Sequence, residues 1–382
     1  MQPERDPSEK LLFTPGPLTT SATVKQAMMR DAGSWHWEFN EMVARVRQKL
    51  LAVAGVSRDD GYECILLQGS GTYGLEAVVG SGVPRGAKFL VAINGAYGER
   101  IARIAEVLGV ETVALRYREH ELPSAGEVRS ALADDPAIAM VCAVHCETTT
   151  GILNPIAEIG RAVKEAGRLY FVDAMSSFGA IDIDVRGIGI DYLVSSANKC
   201  IEGVPGFSFV IARRQALIDA ETGARSLSLD LLAQLRGFEK GGQFRFTPPT
   251  HTILAFDQAL RELEDEGGVA GRGDRYRANH ETLIAGMRDL GFRQHLAPDR
   301  QSFIITSFHY PAHPAFDFDT FYRALAERGF IIYPGKLSAI DCFRIGSIGR
   351  LFPEDFRNLL AAIAATLKEV GVPVPVPEAA SP

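Results

Sequence analysis

Asp173 closes the apolar run Leu169-Tyr-Phe-Val-Asp173, and Lys199 follows the run Tyr192-Leu-Val-Ser-Ser196. A carboxylate at a strand end in an open α/β sheet lies where such sheets bind ligands. Buried there, it needs a cationic or hydrogen-bonding partner; taken alone, it suits a helix N-cap equally well. A lone lysine usually snorkels to solvent. Here the chain re-enters apolar sequence at once, through Gly203-Val-Pro-Gly206-Phe-Ser-Phe. A desolvated lysine has a lowered pKa and can attack a carbonyl carbon. The third feature is Gln68-Gly69-Ser70-Gly71-Thr72-Tyr73-Gly74, between an apolar run and a helical stretch. Small residues there let backbone N–H groups approach a phosphate, and a helix N-terminus favours its charge. As a dinucleotide fingerprint it would need an acidic residue about 20 positions further on. Asn94 stands there. A single phosphate fits better, and an unliganded tight turn is the alternative.

Phosphate cradle, strand-end Asp and later strand-end Lys, in this order, are what pyridoxal 5′-phosphate requires. The cradle holds the phosphate, Asp173 keeps the ring nitrogen protonated, and Lys199 carries the aldehyde. Such a set must be positioned by parallel strands. The strand candidates are Cys64–Gln68, Lys88–Ile93, Thr112–Leu115, Ala139–Val144, Leu169–Asp173, Tyr192–Ser195 and Gly206–Ile211. Several are apolar on both faces, as in a sheet covered on both sides. Helical stretches near 73–80, 98–108, 124–132 and 156–166 alternate with them, which predicts an α/β domain with a mostly parallel, seven-stranded sheet. After Pro248-Pro249 the pattern changes to long helices near 252–266 and 275–290, then short apolar runs and a helix near 353–370. This predicts a smaller α+β domain.

The composition agrees with a soluble globular protein of two or three domains: 382 residues, 46% hydrophobic and 23% charged. A net charge of −7 gives no electrostatic case for nucleic acid or an anionic membrane. The five cysteines are odd in number and sparse, so a reducing compartment is expected rather than a disulfide framework. Cys142, His145 and Cys146 cluster, but no second pair stands at zinc-site spacing, and no metal site is expected. The charged start and the lack of a long apolar stretch predict no signal peptide and no membrane span, hence a cytoplasmic protein.

The sequence resembles the class V, fold type I pyridoxal-phosphate aminotransferases over about Leu11 to Leu367. The runs that carry the likeness include Leu12-Phe-Thr-Pro-Gly-Pro-Leu-Thr-Thr20, Leu66-Leu-Gln-Gly-Ser-Gly71, Asn94-Gly-Ala-Tyr-Gly98, His145-Cys-Glu-Thr-Thr-Thr-Gly151, Val172-Asp-Ala-Met-Ser-Ser-Phe-Gly179 and Phe343-Arg-Ile-Gly346. Ser195-Ser-Ala-Asn-Lys-Cys200 and Arg225-Ser-Leu-Ser-Leu-Asp230 point to the branch that acts on aminophosphonates. The resemblance implies amino transfer from 2-aminoethylphosphonate to pyruvate in a homodimer, with alanine–glyoxylate or serine–pyruvate transamination as the alternative. It implies Lys199 as Schiff-base lysine and proton shuttle, and Asp173 on the ring nitrogen. Ser70, Gly71 and Thr72 would hold the phosphate, joined by Thr247 of the other subunit. Tyr97 and Met175 would cover the two ring faces. Thr148 would bond the phenolic oxygen, and Asn198 belongs to the same cofactor set. Arg344 would bind the substrate's anionic end. Ser34 stands where alanine–glyoxylate relatives tend to carry His, and is assigned to phosphonate selection. His145, next to Glu147, is read as a supporting or core residue, with contact to the cofactor as the alternative. A desulfurase would need an exposed thiol, and Cys342 lies in an apolar run.

The expected boundaries are 1–19 packing on the smaller domain or the partner, 20–250 the large domain, 251–371 the small domain, and 372–382 a tail whose proline content predicts disorder.

Overall fold

The computed structural model describes residues 9–221, 223–337 and 340–377. All seven expected strands enter one sheet: β1 Tyr62–Gln68, β2 Lys88–Ile93, β3 Thr112–Arg116, β4 Ile138–Val144, β5 Leu169–Asp173, β6 Tyr192–Ser196 and β7 Phe207–Arg213. Their order is β1-β7-β6-β5-β4-β2-β3. β2 to β6 are mutually parallel, and β7 alone runs antiparallel to its neighbours β1 and β6. β1 therefore points the same way as β6. The turns that follow β1, β2, β4, β5 and β6 all emerge at one edge, where the candidate residues lie.

The central strands are buried on both faces because helices cover both. They include α1 Trp37–Val53, α2 Gly71–Gly82, α3 Ala96–Val107, α4 Ala125–Asp134, α5 Ile156–Glu165 and α6 Leu231–Gly241. In α5 the buried residues are Ile156, Ile159, Gly160, Ala162 and Val163, an apolar stripe at helical spacing. α1 and α6 were not among the expected helices. The signal for α1 was present: Phe39, Met42, Val43, Val46 and Leu50 recur at three- and four-residue spacing and form its buried face.

Beyond Pro249 come α7 Thr250–Asp265, α8 Gly268–Asp289, α9 Phe318–Glu327 and α10 Pro353–Glu369, with the antiparallel strands β8 Ile305–His309, β9 Tyr333–Pro334 and β10 Cys342–Gly346. α8 starts well before the expected Arg275. Its first turns are poor in helix formers, but tertiary contacts hold them. Arg272 and Arg275 both bind Glu266, and Arg275 also binds Glu202. Gly273 lies so close to the Ala180 carbonyl that a Cβ would stand 2.5 Å from its oxygen.

A second apolar core lies under these elements, around Phe13, Phe308, Phe321, Phe343 and Phe356. The chain near the N-terminus joins it: Leu11–Leu12 pairs in parallel with Phe330–Ile331, and Phe13 is fully buried. The expectation of a disordered tail from 372 needs correcting. Val372 and Val376 are buried against this core, and Val376 N–H donates to the Leu290 carbonyl. Their apolar side chains offset the ordering entropy of the segment, which its proline content alone did not reveal. The last residues, 378–382, lie outside the described residues.

Candidate active site

Asp173 ends β5 and is almost fully buried. Its Oδ1 accepts the Met175 N–H at 2.8 Å, and its carbonyl accepts the His145 N–H at 2.8 Å. No cation forms an ion pair with it among the described residues. Burial pushes its pKa up to about 6, although the Met175 N–H opposes this; the nearby Glu147 charge adds to the rise. Lys199 lies beyond β6, and its Nζ donates to the Pro15 carbonyl at 2.6 Å. It too has no carboxylate partner within ion-pair distance among the described residues. Burial lowers its pKa, against the opposing pull of Tyr97, Cys200 and Asp173. A buried anion and a desolvated amine thus stand at neighbouring strand ends, each without a charged partner of its own.

The cradle is open in the way a phosphate requires. Ser70 is the N-cap of α2, is exposed, and makes no side-chain capping bond. The first N–H groups of the helix therefore lack a side-chain acceptor. Gly69 has φ +101, a conformation that favours glycine. At Gly71 a Cβ would stand 2.3 Å from Met175 Sδ and Cε, so the cradle and Met175 meet here. Gln68 Nε2 donates to the Phe246 and Thr247 carbonyls at 2.8 and 3.2 Å, which holds the exposed Thr247 beside the cradle. Ser34 lines an outer groove with Thr247, apart from the buried groups. Asn198 Oδ1 accepts from Ser196 Oγ at 3.2 Å.

Arg344, in β10, is fully buried. Its Nε donates to the Pro334 carbonyl at 2.9 Å and its Nη1 to the Thr148 carbonyl at 2.7 Å. Its Cζ lies 5.0 Å from the Tyr333 ring centroid. Nη2 is buried with no hydrogen-bond partner, and no acid pairs with the guanidinium among the described residues. Desolvation accordingly lowers its pKa. Half-buried Tyr97 stands between Arg344 and Lys199. Burial alone would raise its phenol pKa, but the Lys199 charge, the Thr148 hydroxyl, Lys336 and Arg344 together bring it below the ordinary value.

Glu147 is the functional residue whose weight the sequence did not reveal. It is fully buried, and its Oε2 accepts the Tyr97 and Gly98 N–H groups at 3.1 and 3.3 Å. Its Oε1 accepts from Thr149 N–H and Oγ1, while Thr149 Oγ1 accepts the Ala96 N–H. Glu147 therefore fixes the first turn of α3 and with it Tyr97. A Cβ at Gly95 would fall 2.4 Å from this carboxylate. The visible signal is an acid just past the apolar run Ile138–Val144, among residues small enough to pack around it. His145 bonds Ser177 Oγ at 2.9 Å, and burial lowers its pKa to about 4, so it is neutral and supports the Asp173 strand end. All five cysteines are free and buried; burial pushes the Cys342 thiol up, which is unfavourable for a sulfur-accepting nucleophile.

A lysine, an unpaired strand-end Asp and an open helix terminus share one edge of the large sheet, and an unpaired buried Arg comes from the small antiparallel sheet; this set suits pyridoxal phosphate. Residues 20–347 match the family Aminotransferase class-V, and the chain belongs to that family. Pyridoxal 5′-phosphate is its cofactor, and the buried charges of Asp173 and Lys199 and the open cradle at Ser70–Thr72 fit the group. Among curated relatives, the 2-aminoethylphosphonate–pyruvate transaminase of Syntrophobacter fumaroxidans (strain DSM 10017 / MPOB) is 52% identical over 362 residues, 94% of this chain and 97% of that one. The protein of that name from Rhizobium meliloti (strain 1021) is 50% identical over 371 residues, 97% of both chains. Among solved structures, ureidoglycine–glyoxylate aminotransferase from Bacillus subtilis aligns with a TM-score of 0.88 at 21% identity, covering 99% of this chain and 97% of that one. Alanine–glyoxylate aminotransferase from Nostoc sp. aligns at 0.86 and 25% identity, covering 96% and 97%. The fold is that of the type I pyridoxal-phosphate aminotransferases.

Proposed function

We propose that this chain moves the amino group of 2-aminoethylphosphonate to pyruvate, giving phosphonoacetaldehyde and L-alanine. The observation that carries the reading is Arg344: a fully buried guanidinium with a free Nη2 and no acid partner among the described residues calls for an anionic substrate group. Both proposed substrates supply one, and the relatives at half identity bear this activity in their names.

When bound, pyridoxal phosphate supplies the electron sink and the carbon that exchanges the amine. Ser70, Gly71 and Thr72 hold its phosphate, joined by Thr247 of the partner subunit. Asp173 holds the proton on the ring nitrogen, Thr148 bonds the phenolic oxygen, and Tyr97 and Met175 cover the ring faces. Asn198 orders the turn that carries Lys199. Lys199, with its lowered pKa, serves first as the attaching amine and then moves the proton at the amine-bearing carbon. Arg344 orients the phosphonate in one half-reaction and the carboxylate of pyruvate in the other. Ser34 contributes to selection from the outer groove.

The active form in this reading is a cytoplasmic homodimer. Exposed Trp35 and Phe246, which line the Ser34–Thr247 groove, support a subunit contact there, and the free cysteines suit a reducing compartment. Sedimentation velocity tests the assembly; the expected species has twice the mass of the chain. No helix among the described residues is long and apolar enough to cross a membrane.

A single-turnover absorbance scan of the holoenzyme tests the activity. 2-Aminoethylphosphonate, without pyruvate, is expected to convert the cofactor faster than L-alanine, L-serine or glycine, and pyruvate to restore it. Conversion by the amino acids alone would overturn the phosphonate assignment in favour of the alanine–glyoxylate alternative.

A further inference from the structure

A cavity of about 450 Å³ on the small-domain sheet is lined by His120, Arg293, His295, Arg300 and His309, together with Ile340. No carboxylate lines it, and neither arginine forms an ion pair among the described residues. The backbone builds this cluster. Residues 293–295 run antiparallel beside β8, with the His309 N–H donating to the Arg293 carbonyl and the His295 N–H to the Ser307 carbonyl, both at 2.9 Å. Arg293 Nη2 lies 3.4 Å from His309 Nδ1, and His295 Nδ1 lies 3.4 Å from His309 Nε2. Arg300 Nη1 donates to the His120 carbonyl at 2.6 Å, which brings in the loop after β3. The His120 and His295 ring centroids are 6.4 Å apart. His295 Nε2 is buried and has no hydrogen-bond partner, and His309 is 8% exposed.

We infer that this cavity binds a tetrahedral oxyanion, either free phosphate or an organic phosphonate, at a site separate from Arg344. Two guanidiniums beside one cavity that no carboxylate lines leave positive charge uncompensated until an anion enters. Arg293 and Arg300 supply charge-assisted donors, and His295 Nε2 supplies a donor with no competing partner. The site goes beyond the proposed transamination and does not depend on which amine is the donor.

Burial holds His295 and His309 below the ordinary imidazole range, His309 at about 4; His120 and Arg293 push His295 further down, and Arg293 and His295 do the same to His309. Across the sheet His309 faces Cys342, whose thiol burial raises and on which Glu119 also acts. Both imidazoles are therefore neutral near neutral pH, and an entering anion raises their proton affinity. Binding takes up protons and tightens as pH falls.

Isothermal titration of the holoenzyme in phosphate-free buffer tests the inference, with inorganic phosphate and methylphosphonate as separate probes. Saturable binding of either probe is expected, tighter at about pH 6 than at about pH 8. R293Q combined with H295Q is expected to weaken it at least tenfold. Phosphate binding alone identifies the free ion as the occupant; binding of both probes identifies a general oxyanion site. R293Q by itself, at an exposed position, guards against misfolding: it is expected to weaken binding while kcat and KM in phosphate-free buffer stay unchanged. The inference is overturned if neither probe binds, or if the variants bind like wild type. It is also overturned if binding disappears in R344Q instead, which would place the anion in the active site.

Discussion

Replacing Arg344 with Gln removes a buried guanidinium that has no acid partner among the described residues. The Nε and Nη1 bonds to Pro334 and Thr148 hold the fork, and Nη2 carries two N–H groups with no acceptor. A hydrogen bond between charged partners contributes about 1.5–3 kcal/mol. Two such bonds to one phosphonate give about 3–6 kcal/mol, or roughly 10²–10⁴ in kcat/KM at 1.36 kcal/mol per tenfold. Most of the loss is expected in KM, because the anionic end is bound in ground and transition states alike. R344K keeps the charge, but one nitrogen cannot serve two carbonyls and a substrate, so a loss of about tenfold or more is expected. The assay is the single-turnover half-reaction, followed by cofactor absorbance across a series of donor concentrations. A control amine of similar length with no anionic end is expected to react equally, and poorly, with wild type and variant. If R344Q processed the phosphonate amine within about threefold of wild type, the argument from the unpaired guanidinium would be wrong.

The remaining predictions concern the cofactor side. D173N is expected to lower the half-reaction rate at least a hundredfold while leaving the apoprotein no less stable, as measured by urea unfolding. The linkage behind this has a definite sign: Asp173 has a folded-state pKa of about 6, above its unfolded value near 4. Its contribution in the apoprotein is therefore full below about pH 4 and is lost as pH rises through about 6, at most about 3 kcal/mol. D173N should flatten that part of the stability–pH curve, and an unchanged curve would refute the burial argument. K199A is expected to lose the protein-linked cofactor absorbance and roughly 10²–10⁴ of the proton-transfer rate. G71A is expected to weaken cofactor affinity in an equilibrium titration, because its Cβ would stand 2.3 Å from Met175 Sδ and Cε and displace the side chain assigned to a ring face.

The sequence exposed the sheet because its strands are covered on both sides and so read as continuous apolar runs. It exposed Asp173 and Lys199 because a charge at the end of such a run is costly and therefore informative. Arg344 was named through the family likeness, but its lack of an acid is a fact of three-dimensional packing that no spacing conveys. Thr247 and Ser34 lie in an outer groove, and their roles concern a second subunit, which one chain's periodicity does not describe. α1 is legible in its three- and four-residue apolar spacing, while its start at Trp37 carries no side-chain cap to mark the boundary. The ordered part of the C-terminal segment was hidden by its prolines, which speak of backbone preference and not of the buried valines between them.

The stretch from Glu147 to Thr150 meets four neighbours at once. Glu147 fixes the backbone of Tyr97, the Thr148 carbonyl suspends Arg344, the Thr149 hydroxyl reaches Ala96, and the Thr149 and Thr150 carbonyls lie 3.4 and 3.2 Å from Ser307 Oγ on β8. These few residues act as a common datum, as a reference surface does on a machined part. The ring-covering Tyr and the anion-holding Arg come from different parts of the chain, yet each is gauged from the same short segment. A shift of that segment carries both together, so their separation survives small motions that would misalign groups referenced independently. The same arrangement leaves the datum itself little freedom to vary.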